Sequence, residues 1–176
     1  MLSKNIAATL ISAAMMMSFA ACNNADKKPA ESTTATSSSA TNEESSKDLT
    51  GKFTLDGKDH TGKVSVQTFP STKEFSVLCQ DDGFGLVQIT FADEASARTE
   101  QTIKFTKGFT HKEKNEADFA FSGFVGNPPG LVSNSETPGS AKIVKDGGNY
   151  VIEFSDVDLK DIENKTSGKL SGKIPY

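Results

Sequence analysis

From about residue 48 onward, apolar and polar side chains alternate with a period of two. In Gln101 to Phe109, Ile103, Phe105 and Phe109 fall on one parity and Thr102, Lys104 and Thr106 on the other. That is the pattern of a strand with one buried and one wet face. Glu116 to Gly123 repeats it, with Ala117, Phe119 and Phe121 inward, and Lys52 to Leu55 and Lys169 to Ile174 alternate in the same way. Phe75, Val77 and Cys79 alternate with Ser76, Leu78 and Gln80, which points Cys79 inward. Gly83 to Phe91 is apolar on both faces over much of its length, as a central strand would be.

Turn chemistry punctuates these runs at Asp56-Gly57-Lys58-Asp59, Phe69-Pro70-Ser71-Thr72, Asp81-Asp82-Gly83 and Asp146-Gly147-Gly148-Asn149. The last separates Ala141–Lys145 from Tyr150–Phe154 and predicts a hairpin. Tyr150, Ile152 and Phe154 are even-numbered while Val157 and Leu159 are odd, so a bulge near Ser155-Asp156 is needed to keep both sets inside. Only Ala92 to Arg98 has a helical look. Short strands between such turns predict an all-β domain, an antiparallel β-sandwich, with a closed lipocalin-like β-barrel as the alternative.

The first residues follow another rule. After Lys4 the chain is apolar from Ile6 to Ala21 and then meets Cys22. A basic start, a short apolar run and small residues before a break form an export signal, and the run falls short of the roughly 20 residues of a membrane span. Phe19-Ala20-Ala21-Cys22 resembles the bacterial lipobox. That resemblance implies cleavage before Cys22 and acylation of its sulfur and new amino terminus. Two or three acyl chains then anchor the protein stably. By the same resemblance, Asn23 after the cysteine does not favour retention in an inner membrane. Outer-membrane anchoring follows, at the periplasmic face or the cell surface.

Between anchor and domain lies a Ser/Thr-rich stretch with no large apolar side chain, which cannot offset its ordering entropy and is expected to be a disordered tether. The expected organisation is a signal peptide over 1–21, the acylated Cys22 and tether over 22–47, and a single β domain over 48–176. With its lipobox, tether and one β domain, the chain is similar to the small β-rich lipoproteins of Bacteroides-type bacteria. That similarity transfers no site residue beyond Cys22.

Charge and composition narrow the function. The net charge is −4, and loss of Lys4 with the signal takes it to −5. Lysines and acids are interspersed without a basic patch, which argues against nucleic acid as a partner. With Cys22 acylated, Cys79 is the lone thiol, expected as a small buried hydrophobe. His60 and His111 are the only histidines, and no Cys, His and carboxylate cluster has metal-site spacing. Asp156, Asp158 and Asp161 break the spacing of a calcium loop and read as solvated charges. Asn164-Lys165-Thr166 is a sequon that carries no weight here. No nucleophile elbow, phosphate loop or dinucleotide fingerprint occurs, so neither an enzyme nor a cofactor is expected.

The chain has no Trp, two Tyr and 12 Phe. Lack of Trp lowers a sugar-binding reading. The Phe excess suits a filled sandwich core or, in the alternative, an apolar cavity for a lipid-like ligand. Thr50-Gly51-Lys52-Phe53 resembles the lipocalin entry strand, without the Trp that normally follows Gly-x. The irregular 126–139 segment holds half of the six prolines. A long loop of this kind is a candidate contact region, with Asn127, Pro128, Pro129, Leu131 and Asn134 as its candidate residues. The expected partners are the membrane, through the acyl chains, and an envelope protein or ligand.

Overall fold

The computed structural model describes residues 48–83, 85–107, 112–123 and 130–176. Cys22, Asn127, Pro128, Pro129, Phe109 and His111 lie outside the described residues. The strands are β1 (Thr50–Leu55), β2 (Lys58–Thr68), β3 (Phe75–Asp81), β4 (Gly85–Phe91), β5 (Gln101–Phe105), β6 (Glu116–Gly123), β7 (Leu131–Val132), β8 (Ser140–Asp146), β9 (Asn149–Lys160) and β10 (Ser167–Pro175). A single helical turn, α1 (Glu94–Ala97), sits between β4 and β5, capped by the Asp93 carboxylate, which accepts from Ser96 N–H at 2.7 Å.

The architecture is all-β, as the alternation predicts, and sandwich-like rather than a clear barrel. Its strands form one ten-stranded sheet in the order β10-β1-β2-β3-β4-β6-β5-β8-β9-β7. β9 also bonds β10, and β7 also bonds β6, so the sheet folds back on itself. The neighbours are antiparallel except β5 and β6, which are parallel and share only Lys104↔Glu116 and Phe105↔Ala117. Opposed layers meet through aromatic rings. Phe121 of β6 lies edge-on to Phe53 of β1 (centroids 6.3 Å), and Phe119 of β6 edge-on to Phe154 of β9 (5.6 Å). The Phe-rich composition thus fills one core, in which Phe53, Phe75, Phe91 and Phe119 are wholly enclosed.

The phase change in β9 is a bulge. Leu170 pairs Val157 and Gly172 pairs Phe154, so Ser155 and Asp156 together face Ser171 alone. Asp156 takes φ 53 and donates its N–H to Ser171 Oγ at 2.9 Å. Phe154, Val157 and Leu159 are all buried, and Ser155 and Asp156 are exposed. The predicted β8–β9 hairpin forms over Gly147 (φ 59) and Gly148 (φ 103), a backbone that glycine adopts without strain. Two strand bounds differ from expectation. β5 ends at Phe105, and Thr106 and Lys107, the described residues that follow it, are not in a strand. Leu131–Val132 inside the irregular segment is a strand, since it finds edges of both β6 and β9 to bond.

This topology gives the domain two unlike ends. The chain enters beside Asp48, and Leu49 C=O accepts from Val64 N–H at 2.9 Å. The 69–74 turn, α1, the 147–148 turn and the C-terminus belong to this entry end. Tyr176 is buried there, its N–H bonded to Tyr150 C=O at 2.8 Å and its hydroxyl to Ala97 C=O. The β1–β2, β3–β4 and β9–β10 strand pairs turn at the other, loop end.

Candidate functional site

At the loop end the inward-facing row is interrupted by a polar pair. His60 has the inward parity of Val64 on β2, and Asp81 that of Phe75, Val77 and Cys79 on β3. Antiparallel register places Gly62 opposite Asp81, which brings the two side chains together although they are 21 residues apart. His60 Nδ1 lies 2.5 Å from Asp81 Oδ2. Asp81 Oδ1 accepts from Gly85 N–H at 2.6 Å, so the carboxylate is held from two sides. The His60 ring stacks on Phe53 with centroids 4.9 Å apart and planes 7° off parallel. Both side chains keep a small exposed fraction.

The β9–β10 loop stands at the same end. Asp161 carboxylate oxygens accept from the N–H groups of Glu163, Lys165 and Thr166 at 2.9–3.0 Å, which fixes the loop as a compact turn. This arrangement presents Ile162, 86% exposed. Asp161 is therefore a loop organiser, and Asp156 belongs to the bulge; neither shares a metal cluster. Among the described residues no group of three or more His, Cys, Asp or Glu side chains is placed to hold a metal ion.

The candidate contact residues separate. Leu131 is 0% exposed and packs in the core as the first residue of β7, so it fastens the segment rather than offering a contact. Asn134 is half-buried and shapes a turn: its N–H donates to Thr137 Oγ1 and its Oδ1 accepts from Glu136 N–H, both at 2.8 Å. Ser133, which sequence reasoning passed over, is buried and ties the segment down. It accepts from Phe119 N–H at 2.9 Å and donates to Thr106 C=O at 2.8 Å.

Two open clefts run along the outer sheet surface on either side of Lys173. One, about 470 Å³, has Lys52, Asp59, Thr61 and Ser171 on its walls. The other, about 400 Å³, has Thr102, Lys142, Glu153 and Ser155. Glu153 accepts from Lys142 at 3.0 Å and Lys173 at 3.1 Å, so charge in the second cleft is largely paired. Such exposed pairs contribute little stability.

A second polar cluster is buried at the entry end, on the outer faces of β3, β4 and β6. Lys112, its side chain 1% exposed, places Nζ 2.8 Å from Glu74 Oε1 and 3.2 Å from Asp118 Oδ2. Beneath it Thr90 and Ser76 hydroxyls meet at 2.8 Å, and Gln88 donates to both. The hydrogen bond from Lys112 holds the Glu74 carboxyl below its ordinary range. Burial pushes the Asp118 carboxyl up, against the pull of Lys112. Burial also works to lower the Lys112 ammonium, but Glu74 and Asp118 together outweigh it and hold it above its ordinary range.

Cys79 is where parity put it, fully buried and unpaired. Burial pushes its thiol up to about 11. Folded protein is expected to react with a thiol reagent at pH 7–8 about two orders of magnitude more slowly than the same chain in denaturant. Equal rates would mean that the β2–β3–β4 core opens far more readily than its packing implies.

Neither His60–Asp81 nor the Lys112 cluster was evident in the sequence. A histidine and an aspartate on inward parity near strand ends were the available signal for the first pair. Nothing local marks Lys112, whose partners come from distant elements. No family model, curated protein or solved structure matches this chain.

Proposed function

We propose that this chain is a lipoprotein, acylated at Cys22 and held at the outer membrane, whose non-enzymatic β domain binds an envelope protein or other envelope component through its loop end. The observation that carries this reading is the polarity of the domain. The chain enters at one end, and the pinned loop bearing exposed Ile162 stands at the other, the same end as His60 and Asp81. A tether of about 25 residues reaches roughly 25–30 Å as a flexible coil. Anchored through it, the domain can turn its loop end away from the membrane. An exposed aliphatic residue on a rigid turn is a low-entropy contact, because little is lost in ordering it on binding.

The filled core supports surface binding over carriage of a lipid-like ligand. Fully enclosed rings occupy the space such a ligand would need, and the two clefts lie open at the surface.

Site-specific photo-crosslinking in cells that make the full chain tests the proposal. A crosslinker at Ile162 is expected to capture one discrete partner, and one at Lys73 in the entry-end turn is not. Cys22→Ser is expected to move the chain from the membrane to the soluble fraction. Equal capture from both ends, or unchanged membrane association of Cys22→Ser, contradicts the proposal. A lipid mass lost only on denaturation would favour the carrier instead.

A further inference from the structure

We propose that Lys112 and Asp118 form an intramolecular amide bond, with Glu74 as the proton-transferring residue. The three side chains meet with the atoms needed, and the Thr90 side chain also hydrogen-bonds Asp118. Lys112 Nζ is 3.2 Å from Asp118 Oδ2, in contact with the carboxyl group whose carbon it would attack, and 2.8 Å from Glu74 Oε1. The nucleophile is almost wholly enclosed, and both carboxylates are more than two-thirds covered.

The site is held by elements that do not depend on the reaction. Asp118 is fixed on β6 opposite Thr90 of β4. Glu74 lies beside β3 and accepts from Thr72 Oγ1 at 3.0 Å. Lys112 returns to β6 through a short turn in which Glu113 N–H donates to Glu116 Oε2 at 2.9 Å and Glu113 C=O accepts from Glu116 N–H at 3.0 Å. Gln101 Nε2 donates to Lys114 C=O at 3.0 Å and braces the same turn. Positioning of this kind replaces an encounter step with a fixed geometry.

The charge balance supplies one of the two neutral partners, and proton transfer from Lys112 to Glu74 is the uphill step. One ammonium faces two carboxylates, so one carboxyl gains by keeping its proton, and burial selects Asp118 for that role. Glu74 then takes a proton from the Lys112 ammonium along their hydrogen bond, leaving a neutral amine beside a neutral carboxylic acid. The amine nitrogen attacks Asp118 Cγ and the new N–C bond forms. Glu74 passes its proton to the departing hydroxyl, the C–O bond breaks, and water leaves. The nitrogen gives up its surplus proton to Glu74, which releases it to solvent and so returns the proton Asp118 had taken up. The balance is one ammonium and one carboxylate converted to one amide and one water, with no oxidant or external reactant. Release of water from an enclosed site makes the step hard to reverse.

Peptide mapping of the full chain, purified folded and digested with trypsin under denaturing conditions, tests this. An amide at Lys112 blocks cleavage there. The expected product is Gly108–Lys114 joined to Asn115–Lys142, lighter than the two peptides together by one water. Glu74→Gln preserves shape but cannot carry the proton, and is expected to form the link at least about a hundredfold more slowly. Lys112→Arg keeps the charge and is expected to form none. Ordinary cleavage after Lys112 in the wild-type chain, with both peptides at full mass, would overturn the proposal. Wild-type yield in Glu74→Gln would overturn the role of Glu74. The wild-type result stands whether or not either variant folds.

Discussion

Phe119→Ala is expected to lower the stability of the domain by about 3–5 kcal/mol, as truncation of an enclosed aromatic ring does. Phe119 has no exposed surface, and it holds opposed layers together: Phe105 meets it edge-on at 5.2 Å and Phe154 at 5.6 Å. Its neighbours cannot close the gap by small shifts. They belong to β5 and β9, whose backbones are fixed by pairing with β8 and β10. Against a total stability of about 5–15 kcal/mol, the loss leaves a marginal fold. Urea and thermal unfolding of the Cys22→Ser chain, with and without the substitution, measure it directly. The midpoint is expected to fall by about 10–20 °C. Phe105→Ala is the comparison, since that ring is only partly buried and its loss should cost less. A shift of only a degree or two for Phe119→Ala would mean that the opposed layers are not in contact as described.

Measured against wild-type chain in which the amide has not formed, Lys112→Met removes the cation that lies between Glu74 and Asp118. Breaking a buried pair by deleting one partner leaves an uncompensated charge and typically costs about 3–5 kcal/mol. Asp118 is the group left stranded. Glu74 retains enough solvent contact to soften its share, so the lower half of that range is expected. The deficit should depend on pH in a stated direction. Burial already raises Asp118 above its ordinary 3.8 with Lys112 present, and without the lysine only the Thr90 hydrogen bond opposes it. A carboxyl raised in the folded state binds more protons folded than unfolded between its two values. Stability is therefore fully present below the unfolded value and lost as pH rises through the folded one. The Glu74 contribution has the opposite sign. Lowered by Lys112, it stabilises the wild-type fold above 4.5 and is lost as pH falls, so acid also removes part of the advantage the variant lacks. Both effects narrow the gap on acidification. Urea midpoints of the variant measured from pH 7 down to pH 4 should converge on those of the wild type. A constant gap would assign the loss to packing of the lysine stem rather than to charge.

The sequence was most legible where burial is one-sided. Ala117, Phe119 and Phe121 could be placed inward because a strand has only two faces and a slip of one residue would expose all three. The β9 bulge was legible for the same reason, since two apolar sets out of phase admit one repair. β2 was harder. Val64 and Val66 are its only aliphatic inward residues, and His60 occupies the same row. Leu131 was obscured by the prolines and glycines around it, though it proved to be core.

The all-β class, the inward parity of Cys79, the Gly147-Gly148 hairpin and the need for a break near Asp156 were determined by local chemistry: side-chain alternation, and the backbone freedom of particular residues. Pairing across long separations was decided only by the tertiary structure. Which strand lies beside which, and in what register, depends on the collective burial of one core. That register brings His60 to Asp81 and sets Asp118 opposite Thr90 on β4, where Lys112 also meets Glu74. No short stretch of sequence contains those distances, because each is fixed by strands that meet only after the chain has folded.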